Sequence, residues 1–173
     1  MSAKMTCTMD IELFNFQVEF LFVLCYIEAK ERLKMNKKDL QIDGLKNALA
    51  TLKESWRIYQ SDLDNTMKNI VADSCIQRYE YTTETSWKMM KRYLKLEYGK
   101  SDVELTINNI FRFMAGYGMV PNWENWKNYY AHRNDTSHEY NPEKARELLE
   151  TIPGFIVDVE YLIASLEKAL ETE

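Results

Sequence analysis

Hydrophobic residues recur every three or four positions along most of this chain, which is the spacing of one face of an α-helix. The first clear stripe begins just after Asp43 and predicts a helix that runs to about Val71. Its apolar positions are Leu45, Leu49, Leu52, Trp56 and Tyr59. The strict alternation that is typical of strands is absent. The pattern therefore predicts an all-α protein, an antiparallel bundle of four to five helices.

Polar residues and glycines divide this pattern into separate helices. Asp73 or Ser74 is placed to cap the second helix, and Gly99 is placed to end it. Ser101 with Glu104 matches the capping box that opens a helix, which predicts the start of the third.

Two further signals define the last two helices. Asn122 can cap a short fourth helix that contains Trp126. Pro142 is suited to the first position of the last helix. The apolar stripe of that helix stays in phase across Pro153 and Gly154, so we expect one kinked helix and not two.

Residues 1–34 differ from residues 35–173, the predicted bundle. Their apolar stretch is interrupted by Glu12 and Glu19 and is too short for a membrane span. No basic region precedes a cleavage site of small residues, so a signal peptide is a poor fit. Two interpretations stay open: an extra amphipathic N-terminal helix, or an upstream extension of a protein whose translation begins at Met35.

Composition and charge narrow the class of protein. The net charge of −5 argues against a general nucleic-acid binder, so any RNA contact must be local or made at a cleft between chains. Three cysteines without metal-ligand spacing indicate reduced thiols in a cytoplasm. No glycine-rich phosphate loop, zinc spacing or serine–histidine–acid set occurs. We therefore expect no metal, no cofactor, no membrane binding and no nucleotidyltransferase active site on this chain.

The most informative motif is an arginine followed five positions later by a histidine, Arg133 and His138, with Tyr140 two residues further on. Arginine offers a forked positive charge for phosphate oxygens, and histidine exchanges protons near neutral pH. We expect Arg133 at the end of the fourth helix and His138 in the loop before the last one. On the residues alone, a structural role is an open alternative: Arg133 capping a helix and His138 bonding a backbone carbonyl. The neighbouring His132 is predicted to be structural or exposed.

Residues 76–88, Trp126 and the segment from Arg133 to Tyr140 together resemble the nucleotidyltransferase substrate-binding protein family. This family belongs to the HEPN superfamily and is related to HepT-type toxins. The resemblance covers residues 43–170. It implies an antiparallel helical bundle that forms a homodimer and is encoded beside a minimal nucleotidyltransferase. Many HEPN proteins are metal-independent ribonucleases in which two copies of the arginine–histidine motif meet at the dimer interface.

The resemblance also implies roles for individual residues. His138 becomes the general acid or base for RNA cleavage, and Arg133 the residue that holds the phosphate. Asn134 could orient either group. In HepT-like systems the tyrosine at the position of Tyr140 accepts AMP from the partner nucleotidyltransferase; packing beside the loop is the alternative for this side chain.

The second-helix motif allows two interpretations. Arg78, Glu84, Trp87 and Lys88, together with Trp126, can form a pocket or the dimer interface. Alternatively, the charged residues form a solvated helix face and the tryptophans belong to the core. Two functions remain possible: a toxin ribonuclease neutralised by a cognate nucleotidyltransferase antitoxin, or a non-catalytic subunit that presents substrate to that enzyme.

Overall fold

The computed structural model describes residue 40, residues 42–136 and residues 142–171, and these form five α-helices without a strand. The helices are α1 (Ile42–Tyr59), α2 (Asn65–Tyr98), α3 (Ile107–Gly116), α4 (Trp123–Thr136) and α5 (Pro142–Glu171). The predicted all-α class is confirmed. Both interpretations of residues 1–34 lie outside the described residues.

The boundary between the first two helices differs from the prediction. Helix α1 ends at Tyr59 and does not continue to Val71. Helix α2 begins after Asp64, whose side chain accepts hydrogen bonds from two backbone N–H groups of the first turn, both at 2.9 Å. Asp73 and Ser74 therefore lie inside α2 and cap nothing. The apolar spacing continues across this turn, so the hydrophobic pattern alone does not reveal the helix boundary.

The end of α2 is confirmed, whereas the start of α3 lies later than predicted. Gly99 ends α2 with φ of 60°, a left-handed conformation that glycine adopts without strain. Glu104 does accept hydrogen bonds from the backbone and hydroxyl of Ser101, at 3.0 and 2.8 Å, and these bonds lower the pKa of Glu104 to about 2. This box forms a turn, however. Thr106 is the cap of α3, which starts at Ile107.

The remaining helix signals agree with the structure. Asn122 accepts a 2.8 Å hydrogen bond from the backbone of Glu124 and so caps α4. Pro142 is the first residue of α5, and Pro153 lies inside that single helix. No helix in the described part of the chain is long and apolar enough to cross a membrane.

Ion pairs and one aromatic cluster define how the helices pack. Exposed pairs join Lys46 to Glu167 and Lys53 to Glu160, so α1 and α5 run antiparallel. The largest fully buried side chains come from α2, α3, α4 and α5, and they are Tyr79, Phe111, Trp126 and Phe155. Their ring centroids lie 4.5 to 6.2 Å apart in the contacting pairs. Removing such a buried aromatic typically costs about 3–5 kcal/mol, so this cluster holds the helices in a fixed arrangement.

Candidate functional site

Arg133 lies near the end of α4, as predicted, and points toward α2. Helix α4 continues to Thr136, so the backbone of Arg133 is held in a helix. Its side chain is 31% exposed, which leaves it near solvent while limiting its freedom. His138 and Tyr140 lie outside the described residues.

Glu84 and Asn134 both contact the guanidinium of Arg133. Its Nη2 lies 3.2 Å from Oε2 of Glu84 on α2, an ion pair between half-buried side chains. Its Nη1 donates a 3.1 Å hydrogen bond to the side-chain oxygen of Asn134. These two contacts engage both terminal nitrogens and so restrict the rotation of the guanidinium.

Glu84 is the centre of this arrangement. Besides Arg133, its carboxylate pairs with Lys88 at 2.8 Å and accepts a hydrogen bond from the indole N–H of Trp87 at 3.1 Å. The residues predicted from two separate sequence motifs therefore meet: Glu84, Trp87 and Lys88 from α2, and Arg133 with Asn134 from α4. We refer to these five residues as the Glu84 cluster.

Glu84 is ionised at neutral pH. Burial acts to raise the pKa of this carboxyl, but the hydrogen bonds from Lys88 and Trp87 and the charges of Lys88 and Arg133 outweigh it. The pKa of Glu84 is consequently lower than its ordinary value. A charged carboxylate next to Arg133 makes the contact an ion pair and not a neutral hydrogen bond.

Aromatic and cation–π contacts of Trp87 also hold the Glu84 cluster in place. The ring of Trp87 packs edge-on against Tyr130 of α4 with centroids 6.5 Å apart. The ammonium of Lys88 lies 5.9 Å from the Trp87 ring centroid. The Glu84–Arg133 and Trp87–Tyr130 contacts therefore join α2 to α4 at two neighbouring positions. These contacts keep the charged groups at fixed distances.

Two other predicted site residues lie away from the cluster. Arg78 sits six residues before Glu84 on α2 and bonds to the hydroxyl and backbone carbonyl of Ser74. Trp126 is fully buried in the aromatic core, where it contacts Phe111 and Phe155. His132 is half-buried on α4 beside Arg133.

A buried polar cluster that the sequence reading missed fixes α4 near Arg133. Asp158 of α5 is 7% exposed and accepts hydrogen bonds from the hydroxyl of Tyr129 at 2.9 Å and the amide of Asn125 at 3.1 Å. The hydroxyl of Tyr79 donates to the backbone carbonyl of Tyr129 at 3.0 Å. Helix α4 is thereby bonded to α2 and α5 one turn before Arg133.

The two tyrosines of this cluster stay protonated. Burial raises the pKa of Tyr79, and burial together with the hydrogen bond to Asp158 raises the pKa of Tyr129. The sequence carried one signal for the cluster, since Asp158 directly precedes Val159, a position of the apolar stripe of α5. A charged residue beside a buried face needs hydrogen-bond partners.

The site presents a half-buried guanidinium, a group whose chemistry suits an anion, beside the ionised carboxylate of Glu84. Among the described residues, no group of three or more histidine, cysteine, aspartate or glutamate side chains is placed to hold a metal ion. His138, which the motif predicts to be the proton-transfer residue, follows α4 in sequence.

The fold and the site together define the protein as a small all-α bundle with an ion-paired arginine near the end of its fourth helix. Sequence comparison identifies its family. The family described as nucleotidyltransferase substrate binding protein like matches residues 40–168. The chain belongs to this family.

Individual relatives agree with this assignment. The chain is 26% identical over 141 residues to the probable ribonuclease HepT of Haemophilus influenzae, covering 80% of this chain and 94% of that protein. The structure of HI0074 from Haemophilus influenzae, described as the fold of a substrate-binding domain of a nucleotidyltransferase, is similar with a TM-score of 0.66 at 26% identity. That match covers 73% of this chain and 99% of that one. The crystal structure of a protein from Thermus thermophilus matches with a TM-score of 0.58 at 26% identity, covering 73% of this chain and 98% of that one.

Proposed function

We propose that this chain is the toxin of a nucleotidyltransferase/HEPN toxin–antitoxin pair and acts as a metal-independent endoribonuclease. Arg133 and His138 are its catalytic residues, and a homodimer brings two copies of them together. The observation that carries the proposal is the fixed guanidinium of Arg133, which is held by Glu84 and Asn134 at 3.2 and 3.1 Å. The similarity to a probable ribonuclease HepT supports it.

The chemistry needs only the residues of the motif and the RNA. The 2′-hydroxyl of a ribose attacks the adjacent phosphorus, the P–O2′ bond forms, and the P–O5′ bond breaks. One histidine removes the proton of the 2′-hydroxyl, and His138 of the other copy can protonate the departing O5′. Arg133 donates hydrogen bonds to the non-bridging oxygens, whose negative charge grows in the transition state.

Glu84 has the role of a positioning residue in this mechanism. Its carboxylate holds Nη2 of Arg133 and so restricts the rotation of a long, flexible side chain. A guanidinium that is already oriented loses less conformational entropy when the phosphate binds. Asn134 acts on Nη1 in the same way.

The proposal is tested by expressing the chain without a partner. We expect wild-type protein to arrest growth and His138→Ala to relieve the arrest at equal protein level. His132→Ala is the matched control, because it removes the adjacent histidine and leaves the motif intact. Equal toxicity of wild type and His138→Ala, or equal relief by His132→Ala, contradicts the assignment.

The partner in this proposal is a cognate minimal nucleotidyltransferase that transfers AMP to Tyr140. The phenol oxygen attacks the α-phosphorus of ATP, and pyrophosphate leaves. Modification places an anion two residues from His138, where it repels RNA phosphate and blocks cleavage. Incubation with the partner, Mg²⁺ and ATP should add mass increments of AMP to wild type and none to Tyr140→Phe. Full labelling of Tyr140→Phe removes this tyrosine from the proposal.

A second function is favoured by two observations. HI0074 is described as having the fold of a substrate-binding domain of a nucleotidyltransferase. The net charge of −5 suits a subunit that does not bind RNA over a large surface. In that case the chain presents substrate to the partner and cuts nothing. Partner activity that depends on this chain but not on His138, without RNA cleavage by the chain alone, favours this second function.

A further inference from the structure

The outer face of the second half of α2 carries a run of positive charge. Lys88, Lys91, Arg92 and Lys95 fall within eight residues that contain no acidic side chain. Three of the four are exposed, and the side chain of Lys91 is 31% exposed. We call these four residues the basic stripe. It is a local exception in a chain of net charge −5.

Two carboxylates only partly neutralise the basic stripe. Glu84 pairs with Lys88, and Asp102 pairs with both Lys91 and Lys95 at 2.8 and 2.7 Å. Arg92 is exposed and makes no ion pair or hydrogen bond within the part of the chain that the structure describes. Three of the four cations thus share two carboxylates, and Arg92 adds a fourth charge. Exposed ion pairs of this kind are weak, so a phosphate can displace them.

A pair of stacked tyrosines lies at the far end of the stripe. The rings of Tyr98 and Tyr117 are 3.7 Å apart and nearly parallel, with an interplanar angle of 6°. Both are exposed, by 38% and 40%. Tyr98 follows Lys95 by three residues on the same helix. We call this pair the tyrosine platform; exposed aromatic faces are surfaces on which nucleobases stack.

We propose that the basic stripe and the tyrosine platform form the binding track for single-stranded RNA beside Arg133. The stripe is continuous with the catalytic arginine, because Glu84 contacts both Arg133 and Lys88. From Lys88 to Tyr98 the helix rises about 15 Å, which matches roughly four nucleotides of a stacked strand. The lysines and Arg92 contact phosphates, and the tyrosines stack a base.

This inference rests on the proposed ribonuclease function, and its test uses full-length protein carrying His138→Ala so that RNA stays intact. The affinity of a short fluorescent single-stranded RNA is measured by anisotropy over a series of salt concentrations. We expect Arg92→Gln with Lys95→Gln to weaken binding roughly tenfold at low salt. The slope of log K against log salt should fall by about 1.4, since each phosphate contact on a single strand contributes about 0.7.

The matched control carries the same loss of charge on another helix. Lys53→Gln with Arg57→Gln removes two exposed cations from α1, each of which pairs with a glutamate. This double variant should bind RNA with nearly the wild-type slope. Asp102→Asn should tighten binding, because it releases both of its lysines for phosphates.

The platform is tested at Tyr117. Tyr117→Phe keeps the ring and should keep the affinity, whereas Tyr117→Leu should lose roughly fivefold or more, as expected for one lost stacking contact. Thermal unfolding of each variant verifies that the fold is intact.

The outcomes separate this inference from the ribonuclease proposal. RNA binding that is equally weakened by the α2 and α1 double variants, or by neither, overturns the track. The track is also overturned if the basic stripe binds an acidic protein surface and does not bind RNA. If RNA binding depends on the basic stripe but the protein with His138 intact cleaves no RNA, the ribonuclease proposal is overturned and the track stands.

Discussion

The ion pair between Glu84 and Arg133 gives a prediction that can be worked out from the structure. Replacing Glu84 by Gln removes the negative charge while keeping a similar shape and an oxygen that can accept from Trp87. Replacing Arg133 by Gln removes the positive charge. The double-mutant cycle of these two changes isolates their mutual interaction from the other contacts of each side chain.

We expect a coupling free energy of about 1 kcal/mol at neutral pH. The side chains of Glu84 and Arg133 are 28% and 31% exposed, and the Nη2–Oε2 distance is 3.2 Å. Fully exposed pairs contribute roughly 0.2–1 kcal/mol, and partial burial here weakens solvent screening, which places this pair at the upper end of that range. Loss of the oriented guanidinium should lower RNA cleavage in Glu84→Gln by more than this modest stability effect implies.

The shifted pKa of Glu84 determines how the stability contributed by this ion pair changes with pH. The pKa of Glu84 in the folded protein is lower than its ordinary value of 4.5. Its contribution to stability is therefore present above the unfolded pKa and is lost as the pH falls through the folded pKa. Chemical unfolding of the four proteins should show the coupling at neutral pH and its decline below about pH 4.5. A coupling near zero at neutral pH, or one that persists unchanged in acid, refutes this reasoning.

Further predictions concern residues outside the Glu84 cluster. Gly154→Ala should stabilise the protein by about 0.5–1 kcal/mol, because alanine loses less conformational entropy than glycine in a helix interior and its methyl group fits 3.4 Å from the Tyr129 hydroxyl. Gly99→Ala should destabilise it by about 1 kcal/mol, because φ there is 60°. Tyr129→Phe should cost about 1–3 kcal/mol, since Asp158 loses a buried hydrogen bond of 2.9 Å. Thermal or urea unfolding measures all three. Cys75 is buried and its pKa is raised to about 11, so a thiol reagent should label it only after unfolding, as peptide mass mapping would show.

Helix class and most helix ends could be predicted because each rests on local chemistry. Gly99, Asn122 and Pro142 act through the backbone of their immediate neighbours, so their effect is visible in the sequence. The turn between α1 and α2 was missed because Asp64 competes with an apolar stripe that continues in phase. The Asp64 cap marks the start of α2, and hydrophobic periodicity alone does not reveal it.

The candidate site was predicted in pieces whose assembly depends on tertiary packing. Glu84, Trp87 and Lys88 belonged to one motif, and Arg133 with Asn134 to another. That Glu84 contacts Arg133 follows from the packing of α2 against α4, which no spacing within either motif encodes. Asp158 was missed for the same reason, because its partners lie 29 and 33 residues away in sequence.

The measurement that tests the central claim most directly is cleavage of RNA by the purified chain in the presence of EDTA. One substrate is all RNA, and its match carries 2′-deoxyribose in place of each ribose, which removes the proposed nucleophile. We predict that wild type cuts the RNA and leaves a 2′,3′-cyclic phosphate, that the deoxy substrate stays intact, and that His138→Ala and Arg133→Gln cut neither. Cleavage of the deoxy substrate, or full activity of either variant, would contradict the account.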